Sequence, residues 1–272
     1  GDECMKKWML SLTLLCAFMV VLSGCGSSDN SSGDGEEKKT LKVLTNAAYA
    51  PMEYMDKDEA IGFDMDFIKA AAKEAGYDVE IQHIGWDPLF VEMESKNADV
   101  AISSITIRED RLKKFEFSVP YYRSTNKILV PEDSDVKSAD DLKDKVISVQ
   151  QGTTGDFIAT DLLGKTSTNV KRFEENTLAV MELIQNGADA VIADMPVLEA
   201  YAKSNPDEAL KVVTDESFDA EYYGVMFAKG NTELQEEFNK AINTLFENGT
   251  YEKIYEEWFG TKPDIEDLKA QQ

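Results

Sequence analysis

The sequence predicts an α/β fold, and three observations carry that reading. From Thr40 to about Phe259, short β-rich runs alternate with helical patterns. A helix-then-strand unit occurs twice: Ala98-Asp99-Val100-Ala101-Ile102 returns as Ala188-Asp189-Ala190-Val191-Ile192, each copy following an amphipathic run (Leu89 to Ser95, Leu178 to Asn186). Polar residues then follow each copy, Ser103-Ser104 in the first and Asp194 in the second. Open α/β sheets collect ligands at the carboxyl ends of their strands. Two such lobes facing one another would enclose a cleft.

The elements follow in order. Leu41 to Thr45 is a strand candidate. Phe63, Phe67, Ile68, Ala71, Ala72 and Ala75 make one helical face, closed by Gly76. Asp78 to Ile84 alternates as a strand, while Asp99 to Ser104, Lys145 to Gln150 and Ala188 to Ala193 read as buried strands. Thr232 and Gln235 suggest a capping box for a helix carrying Leu234, Phe238, Ile242, Leu245 and Phe246. Asn248-Gly249 stops that helix, and a short aromatic helix runs from Tyr251 to Phe259. Lys262 to Gln272 reads as a loose polar tail.

Composition narrows the function. The chain has 272 residues, with 28 Lys and Arg against 52 Asp and Glu, for a net charge of −24. So acidic a chain argues against nucleic acid, whose phosphates need clustered cations. One histidine, His83, excludes a multi-histidine metal site within the chain. The three cysteines (Cys4, Cys16, Cys25) all precede residue 26, so nothing beyond them offers a thiol nucleophile or a thiolate-bound zinc. No cofactor and no metal are expected. Asp56-Lys57-Asp58-Glu59 resembles the start of a calcium loop, but Ile61 stands where such a loop needs glycine, so a solvated turn is expected.

The first 25 residues read as an export signal. Lys6-Lys7 precede an apolar run from Trp8 to Leu22, and Leu22-Ser23-Gly24-Cys25 follows. That ending resembles a bacterial lipobox, which implies that Cys25 carries a lipid and tethers the protein to the outer face of the cell membrane. Residues 26–39 hold no large apolar side chain and suit a flexible tether.

Four polar groups fall at or beside expected strand ends: Asn46 to Tyr49, Ser103 to Arg111, Gly152 to Gly155, and Asp194. A zwitterion could be held by such a set. Its carboxylate suits a guanidinium fork and the N–H groups of a helix N-terminus. Its ammonium needs a carboxylate and neutral acceptors. Each piece also has a plainer reading. Arg111 lies in a charged run and could be a solvated helix charge, Asp194 precedes Met195-Pro196 as an N-cap would, and Tyr49 and Trp86 could be core aromatics.

In this order the segments resemble the family-3 solute-binding proteins of polar amino-acid ABC transporters. The resemblance runs from Leu41 to Gly260. It rests on Tyr49-Ala50-Pro51-Met52-Glu53, Gly62-Phe63-Asp64-Met65-Asp66, Ala101 to Ile107 with Arg108-Glu109-Asp110-Arg111, Phe117 to Tyr122, Gln151 to Gly155, Tyr223-Gly224, and Asn248 to Gly260. It implies a two-lobe, periplasmic-binding-protein-like fold, each lobe a sheet flanked by helices and the pair joined by two hinge strands. Residues 40–122 plus 222–262 would form the first lobe, 123–221 the second, and 263–272 the tail. By the same resemblance Arg111 binds the ligand α-carboxylate with the N–H groups of Thr106 and Thr154. Asp194, the Thr106 hydroxyl and the Ser104 carbonyl take the α-ammonium, while Tyr49 and Trp86 sandwich the ligand side chain. Asn46 and Gln150 stand where relatives carry Asp or Lys beside that side chain. These two slightly favour glutamine or another uncharged polar ligand, with arginine or lysine close behind through cation–π contact and the acidic field. The implied partners are a free L-amino acid and the importer's permease subunits, with no membrane contact beyond the lipid anchor. A monomer is expected. Two alternatives stay open: an enzyme on the same fold resembling cyclohexadienyl dehydratases, and a ligand-sensing lipoprotein serving a signalling receptor.

Overall fold

The computed structural model describes residues 39–272. The export signal, Cys25 and most of the expected tether lie outside the described residues. Among those described, no helix is long and apolar enough to cross a membrane.

Two sheets organise the chain. The first runs in the order Asp78–His83, Thr40–Thr45, Val100–Ala101, Met226–Ala228, Phe115–Phe117. The second runs Val170–Phe173, Ile147–Gln150, Ala190–Asp194, Tyr122–Pro131, Leu210–Val213. In both, the first three strands pair parallel and the remaining pairings are antiparallel. The central strands are apolar on both faces, as they must be when helices cover each side. Leu41, Val43, Val100 and Phe227 pack with Phe63, Phe67 and Phe238 on one side of the first sheet, and Leu44, Ala101 and Met226 with Leu89 and Met93 on the other. The second sheet is lined in the same way by Val149 and Ile192 on one face, and Leu129 and Val191 on the other.

The repeated sequence unit is a repeated structure. Helices Trp86–Glu94 and Asn176–Ile184 both end in a left-handed residue, Lys96 and Asn186, each with φ 59°. The next N–H reaches back to Glu92 O (2.9 Å) in one and Glu182 O (2.8 Å) in the other. Asp99 then brackets Lys42: its N–H donates to Lys42 O and its carboxylate accepts the Lys42 N–H at 2.8 Å. Asp189 brackets Val146 in the same fashion, with its carboxylate accepting at 2.7 Å.

The chain passes between the sheets twice. The first half of Tyr122–Pro131 pairs antiparallel with Ala220–Tyr223, in register from Thr125–Ala220 to Tyr122–Tyr223. A small three-stranded sheet, Ala48–Tyr49, Glu53–Asp56 and Glu59–Ile61, sits after the first strand. Its Asp56-to-Glu59 tip is an exposed turn.

Two local expectations are corrected. The end of the chain is not a loose tail: Ile265–Ala270 is a helix that buries Leu268 against the first lobe's core, and Tyr222 donates to Asp267 at 3.0 Å. Nor does Thr232 form a capping box. Asn231 occupies the N-cap of Thr232–Glu247, and Gln235 donates to the Phe117 carbonyl instead. The apolar face of that helix is nonetheless the one expected, with Leu234, Phe238, Ile242, Leu245 and Phe246 buried.

Candidate functional site

The two sheets present their strand ends to a shared, partly enclosed hollow. Every expected ligand-contacting residue lines it.

Arg111 belongs to a one-turn helix, Glu109–Leu112, whose other residues are exposed while Arg111 alone turns inward. It is 7% exposed. Its Nη1 donates to Thr106 O at 3.0 Å and its Nη2 to Gly152 O, across the hollow, at 3.4 Å. Neither bond is to an acid, so the guanidinium keeps a full positive charge to offer. Trp86 and Phe90 lie against it, ring centroids 5.5 and 5.3 Å from Cζ. Burial, followed by repulsion from Arg108, lowers its pKa to about 10, which leaves it charged at neutral pH.

Asp194 ends its strand and occupies the N-cap position of helix Met195–Ser204, yet its side chain makes no cap bond. It is turned inward to accept from the Tyr223 hydroxyl. Its N–H donates to Tyr49 Oη at 3.1 Å, which joins the lobes at a second point. Burial, then the Glu221 charge, pushes its carboxyl up to about 8. A carboxyl held this high is poised to ionise when a cation arrives.

The helix Thr154–Leu163 aims its N-terminus into the hollow. Thr153 caps it, accepting from the Asp156 N–H, and Thr154, as first helical residue, keeps an N–H that no intrahelical bond can use. Gly155 is required here, since a Cβ would stand 2.4 Å from Ile192 O. Opposite, Ser103 and Ser104 close the first repeat, with Ser104 in the left-handed region at φ 49°. Asn46 and Gln150 meet directly: Gln150 Nε2 donates to Asn46 Oδ1 at 3.0 Å and to Glu174 O at 2.9 Å. At the mouth, Trp86 Nε1 donates to Gly152 O at 3.3 Å.

Two acids line or border the hollow that the sequence reading did not place there. Glu53, on the small sheet, accepts from the Ser103 and Ser104 hydroxyls, both at 3.1 Å. Glu221, on a crossing strand, accepts from Thr106 and Thr154 hydroxyls at 3.1 Å and from Asn126 Nδ2 at 2.8 Å. Donating to Glu221 turns the Thr106 oxygen lone pairs away from that acid, free to accept an N–H. Burial raises the Glu221 pKa as well.

The family model described as "Bacterial extracellular solute-binding proteins, family 3" matches residues 41–261. The chain belongs to that family. A probable histidine-binding protein of Neisseria gonorrhoeae is 37% identical to this binding protein over 94% of its chain and 96% of the relative. The arginine-, lysine-, histidine-binding protein ArtJ of Geobacillus stearothermophilus superposes with a TM-score of 0.83 at 45% identity, covering 85% of this chain and all of that one. An ancestral amino acid-binding protein described as a precursor of cyclohexadienyl dehydratase superposes with a TM-score of 0.73 at 37% identity, covering 81% of this chain and 95% of the other. The fold of this binding protein is thus the family's, two sheet-and-helix lobes.

Proposed function

We propose that this protein is an extracytoplasmic receptor that closes on a polar L-amino acid and hands it to an ABC importer, tethered to the membrane through lipidated Cys25. One observation carries the reading: a buried guanidinium that bonds no acid among the described residues, and a buried carboxylate freed from its helix, face one hollow from opposite lobes. An amino acid's head group satisfies both. Arg111, with the N–H groups of Thr106 and Thr154, takes the carboxylate; Asp194, Ser104 O and the Thr106 oxygen take the ammonium. Tyr49 and Trp86 flank the side chain.

The charge balance reorders the side-chain preference drawn from Asn46 and Gln150. Once Asp194 ionises, it and Glu221 outnumber Arg111, so a zwitterion leaves negative charge uncompensated and a cationic side chain does not. Basic amino acids therefore come first and glutamine second. ArtJ, described as binding arginine, lysine and histidine, agrees with that order.

Thermal melting tests this. A ligand at a hundred times its Kd adds about 2.7 kcal/mol of stability. L-arginine or L-lysine should raise the melting temperature more than L-glutamine, and Arg111→Ala should abolish the response. A folded protein that answers to none of the twenty amino acids, or that turns over prephenate, overturns the reading.

A further inference from the structure

Beneath the hollow, two carboxyl groups are buried together. Glu53 is 1% exposed and Asp64 is fully buried, and among the described residues neither is salt-bridged to a lysine or arginine. The Ser104 N–H donates to Asp64 Oδ2 at 2.8 Å, and the Tyr121 hydroxyl lies 2.9 Å from both Asp64 oxygens. Glu53 accepts from both serine hydroxyls, and Ser103 Oγ in turn accepts the Asn46 N–H at 2.9 Å. The titratable neighbours are phenols: Tyr49 beside Glu53, with Tyr121, Tyr122 and Tyr251 beside Asp64.

Two adjacent buried carboxylates with no cation cannot both stay ionised. The donors differ between them. Asp64 receives a backbone N–H and a phenol, which suit the charged form, whereas Glu53 receives two hydroxyls that can reverse direction. We propose that Glu53 and Asp64 share one proton, carried on Glu53 and donated to Asp64, and that this monoanionic pair is a positioning device for the Ser103–Ser104 turn. The pair holds Ser104 at its left-handed φ of 49°, a conformation that costs a non-glycine residue energy and persists only when surroundings enforce it. The Ser104 carbonyl is the acceptor that the proposed function gives to the ligand ammonium, so the role in binding rests on that reading; the shared proton does not.

Burial, followed by the Asp64 charge, pushes Glu53 well above the ordinary carboxyl range, and burial raises Asp64 to about 6. The native pair therefore holds a proton that the unfolded chain has released above about pH 4. Its stabilising contribution is complete below that pH and is lost as pH rises through the native values.

The test compares full-length wild type with Glu53→Gln and Asp64→Asn. The glutamine amide reproduces the donor that protonated Glu53 supplies, so L-arginine affinity should stay within about twofold of wild type. Asp64→Asn sets an NH₂ against the Tyr121 or Ser104 donor and should weaken L-arginine by about tenfold or more. In ligand-free melting, wild type and Glu53→Gln should coincide near pH 4, with the variant pulling ahead as pH rises through 6. Parallel melting curves overturn the shared proton, as do two amide variants that behave alike, because two ionised acids would be relieved equally by either. If wild type does not bind L-arginine, the proposed function fails while the melting comparison still decides the proton.

Discussion

The two copies of the helix–strand unit share their backbone down to the left-handed cap and the bracketing aspartate, and differ in how each delivers negative charge to the hollow. In the second lobe the strand runs straight into Asp194, and the carboxylate itself faces the site. In the first the strand stops after Ala101 and turns through Ser103 and Ser104, whose hydroxyls donate to Glu53 while the Ser104 N–H donates to Asp64. The same frame thus offers one direct charge and one presented through neutral groups. For a head group bearing both signs this asymmetry is useful. A carboxylate at both strand ends would repel the ligand's own carboxylate, whereas the serine turn contributes acceptors for the ammonium without a second exposed charge.

The largest expected effect comes from removing the direct charge. Asp194→Asn should weaken the amino-acid ligand by about a hundredfold, the order of a lost charged hydrogen bond with its partner left buried. It should also change the pH profile. With Asp194 pushed up to about 8 in the free protein, the ligand's ammonium must displace a proton at neutral pH. Wild-type affinity should therefore climb as pH rises toward 8 and level off above it, with proton release visible in calorimetry across buffers of different ionisation enthalpy. In the free protein the sign is opposite: the contribution of protonated Asp194 to stability is lost as pH rises through about 8. Asp194→Asn should flatten both profiles. A second lobe that offered the ligand only neutral groups would release no proton on binding.

The frame itself predicts a smaller, paired effect. Asp99 and Asp189 make the same two bonds to the strand beside them, but Asp99 is half-buried and Asp189 exposed. Losing the side-chain bond should cost about 1 kcal/mol for Asp99→Ala and about half that for Asp189→Ala, where water replaces the carboxylate. Urea unfolding of each variant checks this. Equal losses would mean that backbone pairing, not solvent access, sets the value of the bracket.

These particular residues also show where sequence is informative. The central strands were legible because short β-rich runs such as Lys145 to Gln150, carrying Val146, Ile147 and Val149, have few other uses, although the strand proper begins at Ile147. The repeat was legible because the bracketing aspartate and the buried strand after it recur in sequence, as Ala98-Asp99 before Val100 to Ile102 and Ala188-Asp189 before Ala190 to Ile192. Arg111 and Asp194 were legible as a pair only through the family resemblance, since each has an ordinary alternative as a helix charge or an N-cap. Glu53 and Asp64 were not read as a pair because acids in a hairpin and in a first helical turn look like solvated groups favoured by the helix dipole. A signal was present for Asp64. It stands four before Ile68 and three before Phe67, on the face that Phe63, Ile68 and Ala71 bury, where an acid demands a partner. Glu221 offered no such signal, because its place depends on two crossing strands meeting from distant parts of the chain. The tail was misread because its one buried residue, Leu268, cannot by itself make a periodicity.

The smallest effect separates the two caps. Lys96 and Asn186 hold the same φ of 59° at the same point of the repeat, followed by Asn97 and Gly187. A lysine Cβ clashes with backbone in this region, whereas asparagine tolerates it through its short polar side chain. Glycine removes the clash but adds freedom to the unfolded chain. The two contributions oppose each other, so Lys96→Gly should gain stability by up to about 1 kcal/mol, while Asn186→Gly should stay within a few tenths of wild type. Both positions are exposed and outside the hollow, so ligand binding should not change. A gain at Lys96 with none at Asn186 would show that the two lobes, alike in backbone, carry unequal strain at one equivalent residue.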